Sequence, residues 1–97
     1  MKNIIVTGGA QGIGKIISKQ LLEKGFFVSV FDIDDESLIE FKSENDSEDI
    51  VFFQTDISDE ESVSDSIVQS MEKSGNISGL INNAGHSNQQ TNYRTFS

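Results

Sequence analysis

The run Thr7-Gly8-Gly9-Ala10-Gln11-Gly12-Ile13-Gly14 joins a short β-branched segment, residues 2–6, to the start of an apolar helical stripe. A strand that turns into a helix through glycines has a specific chemical use. The free backbone amides at a helix N-terminus attract an anion, and any inward Cβ would hold a pyrophosphate away from them. In this reading Gly8 permits the tight turn, Gly12 the close approach, and Gly14 the packing of helix on strand. The spacing is G-x-x-x-G-x-G rather than the commoner G-x-G-x-x-G. A glycine-rich turn with no ligand has the same local look, so the context must decide. Asp32 ends the next apolar run about 20 residues on, where an acid that binds ribose belongs.

Working outward, strand and helix patterns alternate. Ile13, Ile17 and Leu21 recur at four-residue steps with Ile16 beside them, a helix stripe that Gly25 closes as a C-cap glycine. Residues 26–31 are apolar at five of six positions, as in a strand buried on both faces of a parallel sheet. Asp34 and Asp35 precede a weaker helical stretch carrying Leu38, Ile39 and Phe41, and the polar residues 43–49 read as a loop. Residues 50–53 form a third strand. Ser58 with Glu61 three positions later reads as a capping box for a helix striped by Val63, Ile67 and Met71 and ending at Ser74-Gly75. Residues 79–82 form a fourth strand. The order β-α-β-α-β-α-β predicts an α/β fold, a Rossmann-type parallel sheet with right-handed crossovers. Residues 1–85 make one unit. Residues 86–97 lose all periodicity and read as loop or disorder.

Composition narrows the partners. Sixteen acidic residues against seven basic ones leave a formal charge of −9, which repels nucleic acid and anionic membranes. A nucleotide held by backbone amides is not excluded, because those dipoles act locally. With no cysteine, thiolate metal sites and disulfides are ruled out, and a cytoplasmic setting is expected. The apolar run at the start is too short for a signal peptide or a spanning helix. Asp32 also bears on the cofactor: its carboxylate suits two ribose hydroxyls and repels a 2′-phosphate. Gln11 adds no cation, and Lys15, the nearest one, reads as a solvated helix residue. NAD is favoured over NADP. An acid in Asp32-Ile33-Asp34-Asp35-Glu36 also suits a helix N-cap or an acidic turn, and that reading stays open.

Two further motifs, Asp56 in Gln54-Thr55-Asp56-Ile57 and the run Asn82-Asn83-Ala84-Gly85, complete a resemblance to the short-chain dehydrogenase/reductase family. The resemblance spans residues 4–85 and implies the strand order 3-2-1-4. It implies that Gly8, Gln11, Gly12, Ile13 and Gly14 line the pyrophosphate, with Asp32 and Ile33 at the adenosine ribose. Asp56 would accept from the adenine amino group, with the Ile57 backbone alongside; plain turn chemistry before Ser58 is the alternative. Asn83, Ala84 and Gly85 would pass beside the nicotinamide ribose, tied to the first strand by Thr7. The family's tyrosine, lysine, serine and asparagine machinery lies beyond the fourth strand, so the unit reads as truncated and no catalytic residue is assigned. Tyr93 has Ser97, not lysine, four positions on. His86 has no partners for a metal site. An uncovered fourth strand would invite self-association through Leu80 and Ile81. The expected role is the NAD-binding part of an oxidoreductase; a non-catalytic NAD-binding or interaction module and a degenerate fragment are the alternatives.

Overall fold

The structure, a computed structural model, describes residues 1–83 and the backbone of 92–95. In chain order the elements are β1 (Asn3–Thr7), α1 (Gly12–Glu23), β2 (Phe27–Asp32), α2 (Asp35–Ser43), β3 (Ile50–Gln54), α3 (Glu60–Ser74), β4 (Ile77–Asn82) and β5 (Asn92–Thr95). They form one sheet in the order β3-β2-β1-β4-β5. The first four strands are parallel, with Ile5 beside Ser29 on one side and Leu80 on the other, and Asp32 beside Gln54. The order 3-2-1-4 expected for them is therefore present.

Residues 86–97 depart from expectation. Instead of loop throughout, Asn92–Thr95 runs antiparallel to β4, pairing Tyr93 with Ile81 and Arg94 with Leu80. The edge expected to be open is thus covered by the chain's own backbone. Periodicity could not reveal this, because four polar-rich residues carry no hydrophobic alternation; ladder hydrogen bonds to an available edge are enough.

Every residue of β2 is buried, as its near-continuous apolar run requires of a central parallel strand. Its alternate residues face two different layers. Val28 and Val30 join Val6, Leu38, Phe41 and Ile50 in the core beneath α1 and α2, with Ile17, Leu21 and Phe52 packed against it. Phe41 is fully buried and meets Phe52 edge-on at 5.3 Å between centroids.

Both α1 and α3 bury only small residues fully, while Ile17 and Leu21 of α1 pack half-buried against the core. The buried positions of α1 are Gly14 and Ser18, and those of α3 are Ser66 and Ser70. Ser18 donates to the Gly9 carbonyl at 3.2 Å, and Ser66 shares a proton with Thr55 at 2.7 Å. Asn3 Nδ2 donates to Ser70 Oγ and Ser29 Oγ donates to Asn3 Oδ1, each at 2.9 Å, in a fully buried triad. Small side chains bring the helix axis close, and the hydroxyls satisfy polar atoms that would otherwise be costly there. Part of each stripe is turned away from the sheet in consequence. Ile13 and Ile16 are exposed and Met71 is 40% exposed, contrary to a stripe buried against the sheet.

The capping expectations divide. Asp34 caps α2, accepting from the amides of Glu36 and Ser37. For α3 the cap is Asp59, which accepts from the Glu61 amide, and not Ser58. Ser58 instead donates its hydroxyl to Asp56 at 2.6 Å. A carboxylate is the stronger acceptor, so it draws the hydroxyl away and leaves the cap to the neighbouring acid.

Candidate functional site

At the C-terminal ends of β1 and β4 the winding reverses, the place where open α/β sheets bind ligands. Thr7 closes β1 there. Its hydroxyl donates to Asn82 Oδ1 at 2.8 Å and accepts from the Asn83 amide at 3.0 Å, so one side chain ties the two strand ends together. The chain then turns through Gly8, whose φ of 65° lies in the left-handed region and whose amide donates to the Phe31 carbonyl at 2.7 Å. The glycine loop is thereby clamped to β2.

Gly12 opens α1 with φ of 51°, and a Cβ built there would meet nothing within 4 Å. Gln11, the preceding residue, makes no side-chain cap hydrogen bond, and the first turn holds no acid. The Gly12 end of α1 therefore borders open space, with no capping or acidic side chain on its first turn. Gly14 plays the opposite part. A Cβ there would collide with the Gly8 carbonyl and come within 2.7 Å of Asn83 Nδ2. Gly9 was not singled out by the spacing, yet its Cβ would stand 2.9 Å from both the Val6 carbonyl and Ser18 Oγ. The Gly-Gly doublet was its one signal in the sequence.

Asp32 is 4% exposed and well held. Its Oδ2 accepts from the Ala10 amide at 3.1 Å; its Oδ1 accepts from Gln11 Nε2 at 3.2 Å and from the Asp34 amide at 3.0 Å. One carboxylate therefore ties the glycine loop to the tip of β2 and also serves the turn into α2. The acidic-turn reading of this residue describes what these bonds do, while the N-cap of α2 falls to Asp34.

Ile33 beside it is 62% exposed. Asp56 sits on the same rim, because the adjoining Thr55 donates its amide to the Asp32 carbonyl at 2.9 Å. The Ser58 hydroxyl and amide hold the Asp56 carboxyl below its ordinary range. A depressed carboxyl stabilises the fold above its ordinary pKa, and that contribution is lost as pH falls through the folded value. Replacing Ser58 with alanine is expected to raise the Asp56 midpoint, though not fully, since the residue-58 amide remains. Carboxyl NMR titration checks this; an unmoved midpoint would refute the assignment to Ser58.

Lys15, read from sequence as solvated, is engaged. Its ammonium lies 2.8 Å from Glu44 and 5.3 Å from the centroid of the Phe41 ring. The Lys15 hydrogen bond in turn holds the Glu44 carboxyl below the usual range. The pattern missed this because the partner comes from the far end of α2. Ile13 and Ile57 are exposed. Ala84 and Gly85, expected beside the nicotinamide ribose, lie outside the described residues, as does His86. Among the described residues no helix is long and apolar enough to cross a membrane, and no acid or histidine cluster could hold a metal ion.

A glycine-lined turn from strand to helix, an acid at the next strand tip and a 3-2-1-4 parallel sheet define a Rossmann-type α/β unit. Residues 2–96 match the family described as short chain dehydrogenase. The chain belongs to that family of oxidoreductases, whose members bind nicotinamide cofactors. It is 36% identical over 85 residues to an oxidoreductase of Thermotoga maritima, covering 86% of this chain and 33% of that one. A short chain dehydrogenase from Bacillus anthracis superposes with a TM-score of 0.80 at 34% identity, over 87% of this chain and 35% of the other. The 3-ketoacyl-(acyl-carrier-protein) reductase of Brucella melitensis, solved in complex with NADH, gives 0.72 at 25% identity, over 78% and 31%. The chain thus spans about a third of the length of the curated relatives it matches.

Proposed function

We propose that this chain is the NAD(H)-binding part of an oxidoreductase that interconverts alcohols and carbonyls. The observation that carries the proposal is the opening of α1. Gly12 presents bare backbone to open space while Asp32 is anchored across from it through Ala10 and Gln11. These residues fit a dinucleotide. The α1 amides would receive the diphosphate, and the free acceptor site on Asp32 Oδ2, with the place now taken by Gln11, would receive ribose hydroxyls. Bound NAD(H) supplies a hydride acceptor or donor at its nicotinamide ring. Asp56 and Ile57 flank the adenine side, and Thr7 braces the strand end toward Asn83.

The choice of NAD rests on charge. A buried carboxylate at the ribose repels a 2′-phosphate, and Glu44 and Phe41 already hold Lys15, the cation that follows the loop. The complex of the Brucella melitensis relative with NADH is in keeping with this choice. The family resemblance assigns proton transfer to a tyrosine and a lysine four positions later, a pair this sequence does not contain, so the isolated chain is expected to bind cofactor without turnover.

Calorimetry tests the reading. NAD should bind the wild-type chain more tightly than NADP, and Asp32→Ala should weaken NAD about tenfold or more, the scale of a hydrogen bond to a charged group. No binding of either nucleotide would sink the proposal, and equal affinities would sink the choice of NAD. NADH production from any alcohol by the purified chain would overturn the expected lack of turnover.

A further inference from the structure

Lys15 and Lys19 lie four residues apart on one face of α1, and both reach the C-terminal end of α2. There the Glu44 carboxylate stands 2.8 Å from the Lys15 ammonium and 4.0 Å from that of Lys19, with the Phe41 ring close to both. Glu44 is the C-cap of α2. An acid is electrostatically out of place at that end of a helix, where free carbonyls already concentrate negative charge. Its charge is therefore compensated by the lysines of α1 and not by its own helix. The Lys15 hydrogen bond holds the Glu44 carboxyl below its ordinary range. Lys15 is the more firmly kept of the two lysines, with 23% of its side chain exposed against 50% for Lys19.

Lys15 is nonetheless rooted beside the cofactor cleft. Its amide donates to the Gln11 carbonyl at 3.1 Å, and the Gln11 side chain touches Asp32 at 3.2 Å. A ribose bound at Asp32 would bring a 2′-phosphate into this neighbourhood, within the sweep of a lysine's flexible stem. We propose, resting on the dinucleotide reading above, that Glu44 is a positioning residue for the choice of cofactor: it keeps the Lys15 ammonium at the end of α2, so that the extra phosphate of NADP meets Asp32 and no cation. Asp32 repels that phosphate directly, whereas Glu44 denies it a counter-charge and acts only through Lys15. The strength of the pair sets the size of the effect. A partly exposed ion pair is weak, so releasing Lys15 returns to NADP no more than about fivefold in affinity.

The test is calorimetry of the full chain with NAD and NADP at low salt, where ion pairs are least screened. Glu44→Gln should tighten NADP about fivefold and leave NAD within about twofold of wild type. Adding Lys15→Met, which keeps an apolar stem over Phe41, should abolish that gain. Lys15→Met alone should leave NADP as wild type has it, because the ammonium is already engaged. Glu40→Gln removes the same charge from an exposed position one turn back on α2, and should move NADP by less than about twofold. Glu44 caps α2 through its backbone and its side chain is 39% exposed, so Glu44→Gln should keep the wild-type melting curve. If it melts early, Lys15→Met decides alone: weaker NADP binding there would mean that Lys15 already serves the phosphate, against the proposal. Unchanged NADP affinity in Glu44→Gln overturns the proposal, as does a gain that survives Lys15→Met, that Glu40→Gln reproduces, or that NAD shares equally. Failure of NAD to bind the wild type is a different result, which sinks the dinucleotide reading and takes this proposal with it.

Discussion

Phe41→Ala is expected to lower the unfolding free energy by about 3–5 kcal/mol, the range for emptying a fully buried phenylalanine site. The position leaves little room for relaxation. Phe41 has no exposed surface, lies in the core between α2 and the sheet, and meets the Phe52 ring at 74°. Two lysines, Lys15 and Lys19, also lie over its face at 5.3 Å and 6.0 Å. The loss therefore combines a cavity, an aromatic pair and the apolar support of two ammonium groups. Whole domains are stable by only about 5–15 kcal/mol, so the variant should be largely unfolded at temperatures the wild type withstands. Urea melts of Phe41→Ala and Phe41→Leu decide the matter. Leucine keeps most of the volume and should cost about half as much or less. Equal, small losses in both would show that the α2 side of the core is not packed as described.

Gly14→Ala comes next in size and separates two kinds of glycine in one loop. A methyl group there runs into the Gly8 carbonyl and Asn83 Nδ2, backbone on one side and a clamped strand end on the other. Neither can move without displacing the loop that Gly8 ties to Phe31. A loss of about 3 kcal/mol, the upper end of ordinary overpacking, is expected, together with loss of nucleotide binding. Gly12→Ala should behave otherwise. Its Cβ meets nothing, so the cost is the left-handed backbone strain of about 1–2 kcal/mol, and the chain should stay folded with its cleft obstructed. Thermal melts and NAD calorimetry on the two variants give the comparison. A Gly14→Ala chain as stable as wild type would refute the close helix–strand contact, and a Gly12→Ala chain that binds NAD normally would refute the open approach to α1.

The loop and its acid were legible for a physical reason. Gly12, Gly14 and Asp32 answer constraints that are local or one strand away, and such constraints leave residue types at fixed spacings. That the first four strands would lie parallel was equally legible, since a buried parallel strand such as β2 must be apolar on both faces; their order 3-2-1-4 came from the family resemblance. The Asp34 cap shows how far local signals reach: its acceptor serves amides two and three residues on. Where two local acceptors compete, as Asp56 and Asp59 do around Ser58, residue type could not rank them, because the ranking depends on where the turn places each carboxylate.

The chain by itself determined that a parallel α/β sheet would form, that a glycine turn would open its first helix, and that an acid would stand at the next strand tip. Tertiary structure decided which face of each helix meets that sheet. Ser66 and Ser70 win over Ile67 and Met71 because Thr55, Asn3 and Ser29 wait beneath them, 11 to 67 residues away along the chain. Assembly likewise withdrew Lys15 into Glu44 and Phe41 and laid β5 on the edge of β4. Hydrophobic periodicity records how much apolar surface a helix carries. Which side lies inward depends on partners that meet only once the chain has folded, and the closest approach goes to the side that is small and can have its hydrogen bonds answered.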